Sequence, residues 1–489
     1  MKKRAFLIAI ILIIAFGFFL RIYNLSTQSY WIDEGYTINA VEAIKTHGYP
    51  LLDSGKIYSG QYLPNYLTAL STFIFGNTEF AYRFPSVLFG SATILLVFFL
   101  AKKLFNSDVG YIASIVTALS TWEITWSRQA RGYAALHFFY LLTAYFVWEL
   151  CQKFTTKKFI FFTLASLLAY LSHPIGAISF PLGLLMIASR YINKTNLKQI
   201  WLTIKETKKT SLPLVVVILA VLLFLQKTLF LFVDRMFNKS FNLSDSYLSF
   251  LLSTYPIILG CALISIIYLF IKKTERNQGW FFLILLALPL LAIVNATEIL
   301  HFRYLFFLFP MLIILFAFAL ERTVSLIFPL PTKYLVMIIL TILLNINTLT
   351  FWPKSQYKLE PLTPQPNFKT AYTEIRKNWQ TNDIIISPYT PLDKVYLDQT
   401  NYWLKLSLTG KNNELTRYDN QDREEYTNTL IVKNNEHLSE ITAKNHGFII
   451  VDQLYFNRYP KKFIEFKNQY SLFFQDIQGG YNNIWVYRF

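Results

Sequence analysis

The chain has 489 residues, of which 54% are hydrophobic, 18% aromatic and only 15% charged. Soluble globular proteins carry about 25% charged residues, and a chain with 45 Phe and 31 Tyr lacks the polar surface that keeps a protein of this length dissolved. Composition therefore excludes a soluble enzyme and predicts a membrane protein. Gly and Pro number only 17 and 18, which excludes collagen-like and disordered architectures.

The net charge of +17 is not evenly distributed. Residues 351–489 hold 17 basic and 15 acidic residues, so the excess lies upstream, where 29 basic residues face 14 acidic ones. There the excess basic residues lie in loops between apolar segments, as they do in the cytoplasmic loops of membrane proteins. The positive charge therefore does not predict a nucleic-acid partner. The two cysteines, Cys151 and Cys261, lie far apart in apolar stretches and can form neither a disulfide framework nor a cysteine metal site.

Apolar runs of the length that crosses about 30 Å of hydrocarbon predict about eleven transmembrane helices. They lie at about 5–22, 84–101, 109–126, 133–150, 158–172, 174–189, 211–232, 248–271, 280–296, 303–320 and 333–350. Alternate loops are rich in Lys and Arg, so we expect these loops and the N-terminus in the cytoplasm. The first run lacks a small-residue cleavage pattern and is interpreted as an uncleaved anchor. An odd number of spans then places 23–82 and 351–489 outside.

The C-terminal segment, 351–489, differs in character from the rest of the chain. Its charge is balanced, and β-rich runs alternate with helical stretches; the runs lie at 383–389, 448–454 and 483–489. This pattern predicts a small extracytoplasmic α/β domain. The chain is therefore divided into a membrane module, 1–350, and this outer domain, with an outer loop of membrane-surface helices at 23–82.

Several ionisable residues lie at the outer ends of predicted helices, against the charge rule. They are Asp33, Glu34, Arg83, Arg128, Arg131, His173 and Arg303. Each one alone is explained as an interfacial anchor or a helix cap. Ionisable groups at membrane depth are costly, however, and normally line a cavity or pair with one another. As a set they predict one site at the outer face.

An acidic pair that faces several cations fits sugar transfer from a polyprenyl-phosphate donor. Arginine can neutralise the phosphate leaving group. A single carboxylate base, Asp33 or Glu34, suffices when an acceptor hydroxyl displaces that phosphate with inversion. A glycoside hydrolase would need two carboxylates on opposite faces of the sugar, which adjacent residues cannot supply.

Five motifs follow one another within residues 1–320. They are WIDEGYT, PNYL, AYRFPSVLFG, SRQARGYAAL and FRYLFFLFP. In this order they resemble the glycosyltransferase family 39 group of GT-C enzymes, which contains the protein O-mannosyltransferases and the bacterial lipid A aminoarabinose transferases. The resemblance implies a GT-C fold with an outer C-terminal domain like that of the bacterial branch. It also implies a multi-pass cell-membrane enzyme with an extracytoplasmic active site.

The resemblance also implies roles for individual residues. Asp33 takes the role of catalytic base, and Glu34 supports it. The residues expected to bind the donor phosphate are Arg303, Tyr304 and one of Arg128 or Arg131. Arg83 lies in a segment like the family's R-x-P-S segment, where a structural role is expected. His173, from the set of outer ionisable residues, and Tyr62 and Tyr66, from their spacing, are added to the predicted site as supporting residues.

The segment around Tyr62 departs from the family pattern. Many relatives carry His-Pro-Pro-Leu-Tyr before the second membrane helix, whereas GQYLPNYL offers only Pro64 and Tyr66. The spacing of Tyr58, Tyr62 and Tyr66 predicts one helix face. Such a face is either an aromatic belt along the membrane interface or, alternatively, a surface for sugar stacking.

A second departure concerns metal binding. No acid follows Arg131 closely, so a two-carboxylate metal site is not predicted. A divalent cation is expected only if the fold brings Glu34 and His173 together. The prediction is therefore no metal.

Three alternatives to a family 39 transferase are weighed. The first, a non-catalytic membrane scaffold whose C-terminal domain binds a partner, explains that domain but not the ionisable residues at the outer helix ends. A multi-pass lipid or sugar transporter or flippase would carry acids or broken helices near the bilayer midplane, whereas the centres of these spans are almost free of charge. An oligosaccharyltransferase would share the GT-C architecture, but its Trp-Trp-Asp-Tyr-Gly segment is absent from the outer domain. The acceptor class, whether lipid, glycan or protein hydroxyl, and the sugar are not specified by the sequence.

Overall fold

The computed structural model describes residues 2–192, 208–238, 244–296, 300–330, 332–358, 363, 365–404 and 422–489. The α-helices of the membrane module are α1 (Lys2–Ile22), α2 (Ile32–His47), α3 (Tyr62–Phe75), α4 (Glu79–Leu104), α5 (Ser107–Leu119), α6 (Thr121–Ser127), α7 (Tyr133–Gln152), α8 (Thr156–Ser172), α9 (Ser179–Ile192), α10 (Lys208–Asn238), α11 (Ser244–Thr254), α12 (Pro256–Ile271), α13 (Arg276–Phe282), α14 (Leu288–Ala296), α15 (Phe309–Ile327) and α16 (Thr332–Asn345). Short 3₁₀ turns at Pro174–Ile178, Lys273–Glu275 and Phe302–Leu308, and a π-turn at Leu283–Ala287, lie next to these helices.

Within the described residues, six helical segments are long and apolar enough to cross a membrane. They are Glu79–Leu104, Tyr133–Gln152, Pro174–Tyr191, Val216–Phe237, Lys273–Ala296 and Phe302–Ile327. A seventh span results if Asp245–Thr254 and Pro256–Ile271, which meet at 106°, form one broken span. The polytopic helical architecture is thus confirmed, and the chain is a membrane protein.

The predicted number of about eleven spans exceeds the number of helices that meet these criteria. Each apolar run coincides with described helices, but several of these helices are too short to cross the bilayer alone. The run at 109–126 is broken at Ser120, and the run at 248–271 bends before Pro256, which cannot donate a helical hydrogen bond. Hydropathy alone does not register such breaks.

The predicted outer loop, 23–82, consists of α2, α3 and the first turn of α4. Gly48 ends α2 in the left-handed conformation, with φ of 79°, where glycine carries no Cβ penalty. The hydroxyl of Thr78 accepts the backbone N–H of Ala81 at 3.2 Å and begins α4. Helix α3 begins at Tyr62, so Tyr58 lies outside the helix that the tyrosine spacing predicted.

The C-terminal part folds as a six-stranded mixed sheet with helices on both faces. Its strands are β1 (Ile384–Ser387), β2 (Tyr402–Trp403), β3 (Leu430–Ile431), β4 (Gly447–Asp452), β5 (Ser471–Asp476) and β6 (Ile484–Arg488), in the order β3-β2-β1-β4-β6-β5. Its helices are α17 (Phe368–Lys377), α18 (Thr390–Leu397), α19 (Asn435–Lys444), α20 (Gln453–Arg458) and α21 (Pro460–Gln469). Strands β1 to β4 pair in parallel, whereas β6 runs antiparallel to β4 and β5. The predicted α/β fold is confirmed, and the three β-rich runs overlap β1, β4 and β6.

Alternation along β4 assigns its side chains to two cores. Phe448 and Ile450 pack with α17 and α18 and with residues of α2, whereas Ile449 and Val451 pack with α19, α20 and α21. One face of the sheet therefore shares a hydrophobic core with the membrane module. The domain boundary at residue 350 stays a prediction.

Close packing around Gly90 joins α4 to α6 and α1. A Cβ at Gly90 would lie 1.9 Å from Ser127 Oγ and 2.5 Å from Ser127 Cβ. The same Ser127 hydroxyl accepts Nε of the buried Arg21 at 3.2 Å. Gly90 is therefore required for the approach of these helices.

We expect Gly90→Ala to lower the melting temperature of the detergent-solubilised protein, because overpacking of this kind costs about 1–3 kcal/mol. Gly260→Ala is the matched control, since no described atom lies within 4 Å of its added Cβ. Thermal unfolding of both variants tests this, and equal melting temperatures would contradict it.

Candidate functional site

Asp33 lies in the first turn of α2 and faces two guanidinium groups. Its Oδ2 accepts Nη2 of Arg303 at 3.2 Å and lies 3.7 Å from Nη2 of Arg131. Arg131 also donates through Nη1 to the backbone oxygen of Asp33 at 3.0 Å. The Asp33 side chain is 20% exposed, and its Oδ1 has no hydrogen-bond partner among the described residues. The carboxylate is thus fixed through one oxygen, and the other is free.

Arg303 lies in the 3₁₀ turn Phe302–Leu308 and is almost completely buried. Its Nε donates to the Tyr133 hydroxyl at 3.0 Å, and its Nη1 donates to the Thr363 hydroxyl at 3.3 Å. The guanidinium carbon lies 5.1 Å from the centre of the Trp31 ring, which is cation–π distance. These contacts fix a positive charge in one orientation.

Arg131 lies in the short turn between α6 and α7. It donates to the hydroxyls of Thr37 and Tyr58 at 3.1 and 3.0 Å. Burial alone would lower the pKa of Arg131, but Tyr58 and Asp33 raise it above its ordinary value. Arg131 therefore carries a full positive charge in the site.

Gly132 makes this turn possible. Its N–H donates to Gln61 Oε1 at 2.7 Å, and a Cβ at Gly132 would lie 2.2 Å from the backbone oxygen of Ser172. The backbone of α8 thus excludes any side chain after Arg131. The requirement for glycine explains the Arg-Gly pair in the motif SRQARGY.

Glu34 is buried and points away from Asp33. Its carboxylate forms a two-pronged ion pair with Arg83, with Nε–Oε1 and Nη2–Oε2 distances of 2.8 and 2.9 Å. Glu34 also accepts the backbone N–H of Ala130 at 2.8 Å and that of Trp31 at 3.3 Å. Glu34 and Arg83 are thus brought together as a structural pair.

Arg128 is held by the C-terminal end of α1. Its Nη1 donates to the backbone oxygens of Arg21 and Tyr23 at 2.8 and 2.7 Å, and its Nη2 donates to that of Asn24 at 3.3 Å. A cation at a helix C-terminus satisfies the last carbonyls and the helix dipole. Of the two arginines named for the donor phosphate, Arg131 lies beside Asp33, and Arg128 is bound to α1.

His173 and Tyr304 form an aromatic wall beside the two site arginines. The Tyr304 ring centre lies 6.1 Å from that of His173 and 6.5 Å from that of Tyr133. Burial, together with the charges of Arg131 and Arg303, lowers the pKa of His173 to about 3. The imidazole is therefore neutral at physiological pH and adds no charge to the site.

Tyr62 and Tyr66 are not brought into this cluster by any contact between described residues. Tyr66 is exposed and donates to the backbone oxygen of Gly48 at 3.0 Å, whereas Tyr62 occupies the first position of α3. Sequence reasoning did not identify Tyr133 or Thr363, which bind Arg303. Tyr133 is one of 31 tyrosines, and its two-residue distance from Arg131 was the only available signal.

Three tyrosines form the outer wall of the site. Tyr36, on the same face of α2 as Asp33, lies 4.8 Å from Tyr426 of the C-terminal domain, and Tyr58 lies 6.3 Å from Tyr426, measured between ring centres. The carboxylate of Glu424 accepts the backbone N–H groups of Tyr426 and Thr427 at 2.9 and 2.6 Å. The turn that carries Tyr426 is therefore fixed against the site.

The described residues contain no group of three or more His, Cys, Asp or Glu side chains that could hold a metal ion. The condition set for a divalent cation, Glu34 next to His173, is not met. Both oxygens of Glu34 are bound to Arg83.

The family model of the dolichyl-phosphate-mannose-protein mannosyltransferases matches residues 62–225. Over these residues, about a third of the chain, the sequence is similar to this family. No curated protein matches the sequence significantly.

Solved structures share the GT-C fold over nearly the whole chain. The oligosaccharyltransferase of Archaeoglobus fulgidus, in a complex with Zn and sulfate, has a TM-score of 0.58 and 12% identity, covering 97% of this chain and 72% of its own. ArnT from Cupriavidus metallidurans in the apo state has a TM-score of 0.56 and 10% identity, covering 98% and 97%. ArnT bound to undecaprenyl phosphate has a TM-score of 0.55, 10% identity and the same coverage. The predicted GT-C fold and the predicted family resemblance are confirmed.

The two adjacent carboxylates should respond differently to neutral substitution. We expect Glu34→Gln to lower the melting temperature strongly, because loss of one member of a buried ion pair costs about 3–5 kcal/mol. Asp33→Asn should lower it less, because the Asp33 carboxylate is 20% exposed and is bound through one oxygen only. Thermal unfolding in detergent measures both, and an equal loss in the two variants would contradict the assignment of Glu34 as the structural carboxylate.

Proposed function

We propose that this protein is an integral-membrane glycosyltransferase that moves a sugar from a polyprenyl-phosphate donor to an acceptor hydroxyl with inversion. The observation that carries the proposal is the single carboxylate of Asp33 held between Arg131 and Arg303 beside membrane-spanning helices. The similar proteins support the donor class. The matched family is named for dolichyl-phosphate-mannose, ArnT was solved with undecaprenyl phosphate, and AglB, the oligosaccharyltransferase of Archaeoglobus fulgidus, was solved with dolichol-phosphate.

Arg131 and Arg303 take the donor phosphate. Both guanidinium groups are buried in a site where water is largely excluded, so their attraction for a phosphate exceeds that of exposed arginines. Arg303 is oriented by Tyr133 and Thr363, which limits the reorganisation needed when the phosphate charge develops. The neutral His173 and the Tyr304 ring complete the wall on this side.

Asp33 takes the acceptor proton. In the proposed step, the acceptor oxygen forms a bond to the anomeric carbon while the bond from that carbon to the phosphate oxygen breaks. The phosphate leaves with the bonding electron pair, and the hydroxyl proton moves to Oδ1 of Asp33. Because Oδ2 is bound by Arg303, Oδ1 is the oxygen available to the acceptor.

The acceptor enters, in this proposal, along the wall formed by Tyr36, Tyr58 and Tyr426. These rings continue from the face of α2 that carries Asp33, and Tyr58 also binds Arg131 at 3.0 Å. The C-terminal domain therefore contributes directly to the acceptor side. The sugar that is transferred depends on the shape of the donor side.

The proposed site faces the extracytoplasmic side of the cell membrane. The distribution of Lys and Arg among the loops supports this orientation, because cytoplasmic loops retain basic residues. The N-terminus then lies in the cytoplasm. The C-terminal domain, whose sheet shares a core with α2, lies on the same side as the site.

The test of the base is Asp33→Asn in purified protein supplied with radiolabelled polyprenyl-phosphate sugars. Loss of a general base lowers the rate of transfer by about 10²- to 10⁴-fold, and we expect a loss in this range. Asp53→Asn, on the exposed part of the outer loop, is the control and should transfer at the native rate. Undiminished transfer by Asp33→Asn would exclude the base role, and lipid transport without transfer would favour a flippase.

The two arginines of SRQAR provide a matched pair for the donor site. Arg131→Ala should lower kcat/KM for the donor about 10²-fold or more, because it removes a fixed positive charge from the phosphate. Arg128→Ala should lower thermal stability but leave the KM for the donor unchanged in the folded fraction. Initial rates over a range of donor concentrations give KM and kcat/KM for both variants. Thermal unfolding gives the stability of Arg128→Ala. A donor KM that changes only in Arg128→Ala would reverse the assignment.

A further inference from the structure

A cavity lies on the face of α2 opposite Asp33. It encloses about 410 Å³ between α2, the start of α4 and α18 of the C-terminal domain. Glu42 lines this cavity and follows Asp33 by nine residues in the same helix. At 3.6 residues per turn, nine residues amount to two and a half turns, so the two side chains point in opposite directions. The cavity is therefore separate from the reacting centre.

Each charged side chain that lines this cavity forms an ion pair with a residue outside the lining. Glu42 is paired with Lys45 at 2.9 Å, and Glu79 is paired with Lys369 at 2.6 Å. The other two pairs are Asp398 with Arg376 and Lys394 with Asp53. An ion would have to displace one of these partners, so the lining favours a neutral ligand.

Two polar atoms in the lining make no hydrogen bond with a described residue. Tyr30 is only 4% exposed, and its hydroxyl makes no hydrogen bond with any described residue. Asn39 is 8% exposed and donates through Nδ2 to the backbone oxygen of Pro391 at 3.2 Å, and its Oδ1 has no partner among the described residues. Both residues line the cavity, and neither of these two atoms is fully buried. They therefore offer one hydroxyl and one carbonyl oxygen to a ligand.

Aromatic rings supply the apolar part of the lining. The Tyr30 ring centre lies 6.1 Å from that of Tyr82 and 5.8 Å from that of Tyr396. A sugar ring combines apolar C–H faces with hydroxyls that both donate and accept hydrogen bonds. Tyrosine surfaces, an amide and carboxylate oxygens together match that chemistry, and a cavity of this size lies in the range of small-molecule sites.

We propose that this cavity is a binding site for a neutral saccharide. Its floor connects to the structural ion pair, because the Tyr30 ring lies 5.0 Å from the Arg83 guanidinium carbon, and Arg83 holds Glu34. Its wall belongs to the C-terminal domain, where the Tyr396 hydroxyl accepts the Tyr30 N–H at 3.0 Å. A bound saccharide therefore joins the domain to the start of α2.

The test uses the full chain in lipid nanodiscs prepared without glycoside detergents, with maltotriose, mannotriose and N,N′,N″-triacetylchitotriose as probes. We expect saturation-transfer NMR to detect binding of at least one trisaccharide. Tyr30→Phe removes one hydrogen bond and should weaken that binding about three- to tenfold. Val395→Trp fills the cavity and should abolish it. Tyr402→Phe, in β2 and outside the cavity lining, should bind as the native chain does.

Asp33→Asn separates this proposal from the proposed function. It should bind the trisaccharide with native affinity even though sugar transfer is lost, because the two sites lie on opposite faces of α2. Binding to none of the three probes, or binding that survives Val395→Trp in a folded variant, overturns the saccharide site. Binding that disappears in Asp33→Asn also overturns it, since the saccharide then occupies the reacting centre. If the native chain binds a trisaccharide but transfers no sugar, the saccharide site is supported and only the proposed function is refuted.

Discussion

The ion pair between Glu34 and Arg83 is the interaction on which the geometry of the site depends. Both side chains are at most 1% exposed, and two buried charges are tolerated only when their remaining hydrogen bonds are satisfied. Arg83 meets this condition, since it also donates to the backbone oxygens of Leu25, Gln28 and Ser29 at 3.0, 2.7 and 3.0 Å. One guanidinium thus joins α4, the chain leading from α1, and the first turn of α2.

The same carboxylate also positions a cation. Glu34 accepts the N–H of Ala130, the residue before Arg131, at 2.8 Å. The turn between α6 and α7 is therefore fixed relative to α2 by one side chain. Adjacent residues of a helix point about 100° apart, so burial of Glu34 leaves Asp33 partly exposed and directed at Arg131 and Arg303. The two carboxylates of the Asp-Glu motif have different environments for this geometric reason.

The sequence indicated the elements whose signal is local. The β-rich runs located β1, β4 and β6, because a buried strand needs consecutive β-branched and aromatic residues. Strands β2 and β3, of two residues each, carry no such signal. Apolar runs located the membrane helices, but not the breaks at Ser120 and before Pro256 that reduce the number of full spans.

The site residues show the same division between local and tertiary information. The clustering of Asp33 with Arg303 agrees with the prediction that both lie at the outer ends of helices. The choice between Arg128 and Arg131 did not, because it depends on which arginine meets the C-terminal carbonyls of α1. Tyr426 lies almost 400 residues from Asp33 along the chain, and no pattern in the sequence connects them.

Helix α2 presents three faces to different surroundings. Asp33, Tyr36 and Thr37 face the two arginines and the tyrosine wall, Glu34 faces the core, and Asn39 and Glu42 face the cavity. The C-terminal domain covers both sides, through Tyr426 on one and Tyr396 on the other. The guanidinium of Arg83 holds Glu34 on its inner side and lies 5.0 Å from the Tyr30 ring of the cavity lining. The buried pair therefore lies between the face of α2 that carries Asp33 and the face that lines the cavity.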